Sequence, residues 1–455
     1  MGKQLLAGAL LQQASEGISA KQEAVQDLQD DLDFRQSFGV EASPLSEDPG
    51  ISQKLKAWQN TKNENSPQPK SWLLYPLSAL ALGTLIYWGI YPSLKTFYVF
   101  SAAAFLNLTV GGLYFKNLKK DYQHLEGISK SLLMYSQMLS LIENRKHSSL
   151  LLQDIEAGLE HPGGLSSRAL RKLSKILDGF DQLHNVVGAL VMNALFMYHL
   201  HIWRKLRKWQ CSYQTSIEDW LQVVGAFDHY CSLANYAFNH SSFSFPQISS
   251  QSEYVAHNMG HPFIRDSERV TNQCDFTGFK YVILTGSNMA GKSTYLKSLG
   301  VNLVLAKAGA PVCAGSMRCF PFQLLTSMNP EDSIQEGVSY FQAEVLRLKQ
   351  IRQKLDEEKQ CLVLLDEILR GTNSDDKRKG TRLFMQSLSK YNALGVIATH
   401  DVDIATLAED QPQIFNARFF ESQFIDGQLS FDYKLRQGVC ATPNATELMR
   451  AHGII

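Results

Sequence analysis

A net charge of either sign is what this chain most plainly lacks. Its 455 residues include 44 Lys and Arg and 44 Asp and Glu, so the formal net charge at pH 7 is zero. A strong basic excess is the electrostatic footprint of proteins that hold nucleic acid over a large surface. The composition excludes such a global field, so any contact with nucleic acid has to come from a local basic cluster.

Cysteine is also scarce, and its spacing is irregular. The seven cysteines form neither the spacing of a zinc site nor a disulfide framework. They are Cys211, Cys231, Cys274, Cys313, Cys319, Cys361 and Cys440. Several lie in apolar runs, where a thiol packs as a small hydrophobic group. We therefore expect buried thiols and a reducing compartment.

Charged residues are missing from two long stretches in the first third of the chain. Residues 71–94 contain none and residues 96–115 contain none, with Lys95 between them. Each stretch has about 20 residues, the length at which a helix crosses a bilayer core of about 30 Å. Aromatic residues lie toward the ends, and lysines flank the pair on both outer sides, which places both ends in the cytoplasm. We expect a multi-pass transmembrane hairpin over 71–115 in the cell membrane; a hairpin buried in a helical core is the alternative.

The sequence around this hairpin has a helical pattern. Residues 1–70 combine a short helical stretch with a polar linker, and 116–240 carry apolar residues at three- and four-residue spacing. The apolar stretch 186–203 contains Asn193 and His199, which favours a core helix over a third membrane span. These patterns predict an all-α region interrupted by the hairpin.

A basic cluster follows that apolar stretch. Its members are Arg204, Lys205, Arg207 and Lys208. Clusters of this size are most often a solvated helix face, and contact with DNA is the alternative.

A phosphate-binding loop begins the most informative part of the chain. Residues 286–293 fit G-x-x-x-x-G-K-[ST], with an apolar strand pattern before them and a helical pattern after them. The expected phosphate ligands are Gly286, Ser287, Asn288, Met289, Ala290, Gly291, Lys292, Ser293 and Thr294. Backbone N–H groups and the helix N-terminus attract phosphate, while Lys292 reaches the β- and γ-phosphates and the Ser293 hydroxyl ligates Mg²⁺. The loop predicts binding of a nucleoside triphosphate.

Two further strand ends predict hydrolysis. The apolar run 361–365 suits a buried parallel strand and ends in Asp366 and Glu367. A carboxylate in this place can hold the Mg²⁺ shell, and the next one can orient or deprotonate water. A third apolar run, 395–398, leads to His400, which we interpret as a γ-phosphate sensor. Lys292, Glu367 and His400 are therefore the candidate catalytic residues.

Several runs together resemble one known family. The runs at 260–262, 285–294, 332–344, 366–373, 398–401 and 433–439 are similar to the ATPase domain of MutS proteins, and the resemblance covers 250–455. It implies an ABC-like, MutS-type α/β P-loop NTPase domain that uses ATP and Mg²⁺. More weakly, the N-terminal residues of 1–70 resemble the start of the MutS helical core.

The resemblance also implies partners and further site residues. Gly337 and Ser339 resemble a signature loop that reaches the ATP of the opposite subunit, so we expect a homodimer. Arg269 and Val270 are candidates for an adenine pocket. Ser287 replaces the usual Pro of the family, but this departure removes no phosphate or metal ligand.

Duplex DNA is the partner that the resemblance favours. The sequence ahead of the helical core has no room for the domain with which MutS proteins read mispairs, so we expect weak binding with little mismatch preference. The alternative is an ATP-driven conformational device that acts on a membrane or protein partner without DNA.

Overall fold

The computed structural model describes residues 2–11, 15–44, 54–55, 58, 71–181, 186–328, 340–357, 360–425 and 428–439. The chain divides into two units: Met1–Leu5 with Asp30–Cys231, and Leu6–Gln29 with Ser232–Ile455.

Among its described residues, the first unit contains helices and the connections between them, and no strand. Its helices are α3 (Leu32–Ala42), α4 (Ser71–Ile90), α5 (Leu94–Tyr122), α6 (Ser129–Asn144), α7 (Leu150–Ala157), α8 (Ser166–Asp181), α9 (Val186–Phe196) and α10 (Tyr198–Tyr213). Helix α1 (Gly2–Leu11) and helix α11 (Ile217–Asn239) belong partly to each unit. Phe34, Trp203 and Phe227 are among its buried side chains. The all-α region predicted ahead of the ATPase domain is confirmed.

Helices α4 and α5 form the expected pair. Ser93 caps α5 through a reciprocal capping box with Thr96, which fixes the turn between the helices. Both helices are long and apolar enough to cross a membrane. Only 11% of the residues in each apolar stretch are buried. The pair therefore exposes most of its apolar surface.

The apolar stretch 186–203 differs from the expected core helix. It breaks at Met197, whose φ is 49°, into α9 and the start of α10. Asn193 stabilises the break, because its Oδ1 accepts from the backbone N–H of His199 at 3.0 Å. Val187 is 70% exposed and Leu190 56% exposed. The prediction of a core helix is therefore wrong for α9.

A six-stranded sheet organises the second unit. Its order is β10-β9-β4-β8-β7-β6, with β10 antiparallel to β9 and the other neighbours parallel. The strands are β4 (Tyr281–Gly286), β6 (Gln323–Ser327), β7 (Cys361–Asp366), β8 (Leu394–Ala398), β9 (Phe415–Ile425) and β10 (Gln428–Gln437). Strands β7 and β8 are buried along their whole length, as parallel strands covered on both faces are.

Helices cover both faces of this sheet. Helix α12 (Lys292–Ala308) packs on one face through Leu296 and Leu303. The other face packs against α13 (Tyr340–Glu357) and α14 (Ser374–Leu388), followed by a 3₁₀ helix (Val402–Thr406) and α15 (Leu407–Asp410). This α/β architecture brings the carboxyl ends of β4, β7 and β8 to one edge, where ligands of such sheets bind.

A smaller sheet and helix α2 complete the unit. The sheet has the order β1-β5-β2-β3. Its strands are β1 (Gln247–Ile248), β2 (Tyr254–Met259), β3 (Asn272–Cys274) and β5 (Ser316–Cys319). Helix α2 (Ile18–Gln29) belongs to this unit, and its Gln22 donates to the carbonyl oxygen of Pro246 at 2.8 Å. The N-terminal stretch that resembled the start of a helical core thus packs with the ATPase unit.

The expectation of buried thiols is confirmed for most of the described cysteines. Cys231, Cys274, Cys313, Cys319 and Cys361 are buried, and Cys211 is exposed. Burial raises the pKa of the Cys274 thiol to about 12, so this group packs as a neutral thiol.

Candidate active site

Two glycines shape the loop between β4 and α12. Gly286 has a φ of 142°, and a Cβ atom there would lie 2.7 Å from the carbonyl oxygen of Phe420. Gly291 has a φ of 109° and caps the N-terminus of α12. Because only glycine adopts these conformations without strain, both positions fix the path of the loop. The loop thereby directs the N-terminus of α12 toward the edge of the sheet, where an anion is stabilised.

Lys292 lies folded over this loop. It is 5% exposed, and its Nζ donates to the carbonyl oxygens of Gly286 at 2.8 Å and Ser287 at 2.9 Å. The same Nζ lies 3.4 Å from Nδ1 of His400. Main-chain carbonyls therefore hold the ammonium group at the mouth of the loop, where it can neutralise phosphate oxygens.

His400 and Glu367 are in direct contact. The Nε2 atom of His400 meets Oε1 of Glu367, while its Nδ1 lies 2.9 Å from the carbonyl oxygen of Gly286. One ring nitrogen thus contacts a carboxylate oxygen, and the other lies between a main-chain carbonyl oxygen and the Lys292 ammonium group. Burial alone would raise the pKa of Glu367, but the hydrogen bond and charge of His400, with Arg370 and Lys292, hold it below its ordinary value. Glu367 is therefore an ionised carboxylate.

Asp366 ends β7 beside Glu367 with an unsatisfied oxygen. The residue is 5% exposed, and no described residue donates a hydrogen bond to its Oδ1. Ser293, in the first turn of α12, lines the neighbouring cleft. A hydroxyl and a carboxylate near a triphosphate are the oxygen ligands that Mg²⁺ prefers. Ser293 and Asp366 therefore fit the metal, which would neutralise charge on the phosphates.

Glu344, which the sequence reasoning missed as a site residue, positions the segment after Glu367. It is 2% exposed and accepts the backbone N–H of Arg370 at 2.9 Å. Burial raises the pKa of Glu344, against the hydrogen bonds and charge that lower it. The supported segment includes Glu367 and Leu369 in left-handed conformations, with φ of 46° and 61°. The only sequence signal for Glu344 was its place at the end of the run 332–344.

A cleft of about 930 Å³ extends from the loop. Its lining includes most of the loop together with Glu367 and Arg370, and also Val270, His261, Ile264, Asn272 and Tyr433. Tyr433 belongs to an irregular part of β10, where Asn272 donates to its carbonyl oxygen at 2.9 Å. His261 and Tyr433 belong to runs that carry the family resemblance, but the sequence did not identify them, Ile264 or Asn272 as cleft residues. The size suits a mononucleotide, because ligand pockets span about 300–1,000 Å³.

Arg269 points elsewhere. Its Nε and Nη2 donate to the carbonyl oxygens of His261 at 3.1 Å and Ile264 at 2.6 Å, and its Nη1 pairs with Asp266 at 2.6 Å. Unlike Val270, Arg269 is absent from the cleft lining among the described residues. Arg269 therefore holds His261 and Ile264, which line the cleft, and does not itself contact the cleft.

The phosphate-loop residues differ in how they contribute. Asn288, Met289, Gly291, Lys292, Ser293 and Thr294 line the cleft. Ala290 is 1% exposed and packs in the core, and the Ser287 hydroxyl lies 2.8 Å from that of Ser422. Ser287 and Ala290 can therefore contact a phosphate through their backbone N–H groups, but not through their side chains.

Two sets of predicted residues lie outside this site. Gly337 and Ser339 fall outside the described residues. In the helical unit, Nε of Arg207 pairs with Oδ2 of Asp121 at 2.7 Å, and both side chains are buried. The proposal that Arg207 contacts DNA is wrong, because its guanidinium is committed to this ion pair. Lys205 and Lys208 are exposed, and Arg204 is half-buried.

These features are those of a P-loop nucleotide-binding domain with two carboxylates, Asp366 and Glu367, at the sheet edge. Residues 282–453 match MutS domain V, the family's P-loop ATPase domain. The match covers less than half of the chain, and it makes this C-terminal part similar to the ATPase domain of MutS proteins.

Similar proteins align with about half of the chain. An endonuclease MutS2 of Lactiplantibacillus plantarum is 28% identical over 248 residues, 53% of this chain and 30% of that protein. A DNA mismatch repair protein MutS of Natronomonas pharaonis is 27% identical over 256 residues, 55% of this chain and 29% of that protein. An endonuclease MutS2 of Thermomicrobium roseum is 31% identical over 179 residues, 39% of this chain and 22% of that protein. The chain thus covers less than a third of these relatives.

Proposed function

We propose that this chain is a membrane-anchored MutS-type ATPase that hydrolyses ATP with Mg²⁺ and couples the cycle to DNA binding. The observation that carries the ATPase proposal is the convergence of Lys292, His400 and Glu367 beside Asp366, whose Oδ1 has no donor among the described residues. Phosphoryl transfer needs positioning and charge neutralisation, and this cluster supplies both.

Each residue has a distinct part in hydrolysis. The loop amides and Lys292 hold the phosphates, and Ser293 and Asp366 hold the metal. Glu367 orients or deprotonates the attacking water, and His400 senses the γ-phosphate. In the described geometry, His400 and Arg370 both engage Glu367. Turnover therefore requires His400 to exchange this carboxylate for the γ-phosphate, which frees Glu367 to act on water.

The ATPase proposal can be tested with Glu367→Gln in the detergent-solubilised full chain. The neutral amide cannot accept a proton, so we expect phosphate release to fall by about 100-fold or more while bound ATP is retained. Glu409→Gln is the matched control, because Glu409 is exposed on α15 away from the cleft. Wild-type turnover in Glu367→Gln would remove Glu367 from the mechanism.

Membrane anchoring is supported by the exposure of α4 and α5. Their outward residues include Trp72, Ile86, Phe105 and Leu113, which are between 55% and 76% exposed. Exposed apolar surface on this scale marks a membrane or protein interface. Lys119 and Lys120 at the end of α5 support a cytoplasmic position for that end of the hairpin.

We also propose a homodimer with composite sites, in which Gly337 and Ser339 reach the ATP of the partner. The support is the resemblance of this segment to the family's signature loop. Mixing Ser339→Ala with Lys292→Ala subunits tests the proposal. Partial recovery of ATPase activity is expected, because a mixed dimer retains one intact site, and no recovery at any mixing ratio would refute shared sites.

DNA is the proposed partner because relatives are named as a mismatch repair protein and as endonucleases. The basic surface that could contact DNA is small. With Arg207 buried, only Arg204, Lys205 and Lys208 of the basic cluster could contribute to it. We therefore expect weak binding of duplex DNA, with a steep salt dependence and little mismatch preference.

The burial of Arg207 favours a second candidate function, an ATP-driven device that acts on a membrane or protein partner without DNA. Retention of the chain on duplex DNA at low salt, with and without ATP, separates the two. Salt-sensitive retention supports the first, and no retention at low salt supports the second.

A further inference from the structure

We infer that α9 is a re-entrant membrane helix whose exposed apolar face contacts the acyl chains of phospholipid. The inference rests on the membrane anchoring by α4 and α5 proposed above. It is carried by the depth at which α9 is bonded to α5, by the side on which the chain enters and leaves, and by the level at which charge returns.

A hydrogen bond joins the end of α9 to the apolar part of α5. Nδ2 of Asn107 donates to the carbonyl oxygen of Ala194 at 2.7 Å. The uncharged stretch of α5 ends at Phe115. Asn107 precedes Phe115 by about 12 Å along the helix axis. Where α5 spans the membrane, the end of α9 therefore lies inside the hydrocarbon layer, at less than half of its thickness of about 30 Å.

The chain approaches α9 and leaves it at one end of α5. Before α9, the ring of Phe180 lies 4.8 Å from that of Tyr122, the last residue of α5. After α9, Nε1 of Trp203 donates to Oδ2 of Asp121 at 2.7 Å. Both contacts lie at the basic end of α5. A segment that enters and leaves on the same side does not span the bilayer, so α9 and the start of α10 form a re-entrant element with the break at Met197 between them.

The break has the hydrogen bonds that a membrane interior requires. Hydrocarbon offers no partners to the backbone, so an irregular segment at depth has to be enclosed by protein. Met197 is 1% exposed, and its backbone N–H donates to the carbonyl oxygen of Asn193 at 3.0 Å. The Oδ1 atom of Asn193 accepts the backbone N–H of His199 at 3.0 Å. Two N–H groups next to the break are thereby satisfied within the protein.

The exposed face of α9 is apolar. Val187 is 70% exposed, Leu190 56% and Val191 49%, and α9 contains no charged residue. The neighbouring helices of the same unit expose basic residues instead, such as Lys172 on α8 and Lys205 on α10. Within one unit, the surface thus changes from charged to apolar and back. Acyl chains fit the apolar part, because water disfavours its exposure and α9 is bonded to a membrane helix at this depth.

Two segments far apart in the sequence become basic at the same level. On α5, Lys119 lies just before Asp121. On α10, Arg204 and Lys205 follow Trp203, the residue that donates to Asp121. Basic residues beside an apolar segment mark the cytoplasmic edge of the hydrocarbon layer. The α9–α10 segment and α5 therefore agree on one position of that edge.

The test places single cysteines in the full chain, reconstituted in phospholipid nanodiscs that leave both membrane faces open to water. Cys211→Ser and Cys440→Ser remove background reactivity, since Cys211 is exposed. Two quantities are measured for each variant. One is the rate of reaction with a water-soluble maleimide, and the other is the quenching of an attached fluorophore by phospholipid brominated on its acyl chains.

Three positions report on three surroundings. Val187→Cys probes α9. Leu150→Cys is the matched control, because Leu150 is 69% exposed and begins α7, which carries the acidic residues Asp154 and Glu156. Ile86→Cys probes the anchor itself, at a position of α4 that is 55% exposed.

We expect Val187→Cys to react with maleimide about tenfold more slowly than Leu150→Cys, because the thiolate is the reacting form and hydrocarbon disfavours its formation. Brominated acyl chains should quench the fluorophore at Val187 and at Ile86, but not at Leu150. For Phe196→Cys, the strongest quenching should shift to bromine placed deeper in the chain, because α9 descends from Val187 toward the level of Asn107.

Three results would overturn the inference while quenching at Ile86 leaves the anchor intact. Equal maleimide rates at Val187 and Leu150 would place α9 in water. A slow reaction without quenching at Val187 would mean that protein covers α9. Equal depths for Val187 and Phe196 would mean a helix that lies along the membrane surface.

The absence of quenching at Ile86 would refute the membrane anchoring and the re-entrant helix together. If Val187→Cys is not recovered in nanodiscs, Leu190→Cys replaces it at an exposure of 56%.

Discussion

The Nε2 atom of His400 contacts Oε1 of Glu367, and the other nitrogen of the ring lies 2.9 Å from the carbonyl oxygen of Gly286. One imidazole thereby joins the ends of β8 and β7 to the start of the phosphate loop. A change at the γ-phosphate position can therefore reach the catalytic carboxylate through a single side chain.

This contact predicts a pH dependence of stability. Because the pKa of Glu367 is lowered on folding, its stabilising contribution is complete above its ordinary pKa of about 4.3 and is lost as the pH falls through the folded value. Glu367→Gln lacks this contribution. We therefore expect the Tm of the wild type, measured from pH 7 to pH 3, to approach that of Glu367→Gln below about pH 4. Two Tm curves that stay parallel over this range would contradict the assignment, and Glu409→Gln should follow the wild type.

The buried pair of Arg207 and Asp121 predicts a loss of stability rather than of DNA binding. Arg207→Ala leaves the Asp121 carboxylate buried beside Trp203, which costs about 3–5 kcal/mol in the free energy of unfolding. Chemical denaturation of the purified chain measures this cost. The matched change is Lys208→Ala, at an exposed position of the same helix, which should leave stability within about 0.5 kcal/mol.

The same variants also separate folding from DNA contact. If duplex DNA is bound, Lys208→Ala should lower the salt slope by about one, because one phosphate contact is lost. A stable Arg207→Ala protein with a reduced salt slope would mean that Arg207 reaches DNA after all.

Membrane insertion predicts a strong effect of charge at the middle of α4. Leu82→Arg places a cation near the hydrocarbon centre, at a cost of about 2.5–3.5 kcal/mol on insertion scales. We expect less protein in the alkali-resistant membrane fraction for Leu82→Arg, while Leu82→Ile behaves as the wild type. Recovery of the intact wild type in the soluble fraction would show that the hairpin packs against protein instead.

The sequence could predict the phosphate loop and the strand-end carboxylates because their signals are local. A glycine-rich run between a strand and a helix carries its own geometry, and Asp366 and His400 each follow an apolar strand directly. Tyr433 and Glu344 lie in runs that resemble the family, but their positions at the site could not be predicted in this way. Tyr433 reaches the cleft through the register of β10, and Glu344 through hydrogen bonds to a segment on another element.

In the helical unit, too, contacts between residues far apart in the chain could not be predicted from the sequence. Arg207 belongs to a basic cluster in sequence, but its burial depends on Asp121, which the chain brings from a distant helix. Periodicity alone did not reveal the break at Met197, because the hydrogen bond from the His199 backbone to Asn193 that stabilises it depends on local geometry. Composition therefore predicted an apolar helix, but not that it would be short and exposed.

Phosphate release by Lys292→Ala is the decisive measurement of whether the phosphate loop supports ATP hydrolysis. The Nζ of Lys292 lies at the loop mouth within reach of His400, so its loss should lower the turnover of ATP by about 100-fold or more. Lys297→Ala, on the exposed face of the same helix, is the matched control and should keep wild-type turnover. Turnover should be lost in the first variant alone, and equal phosphate release by Lys292→Ala and the wild type would show that this loop does not support ATP hydrolysis.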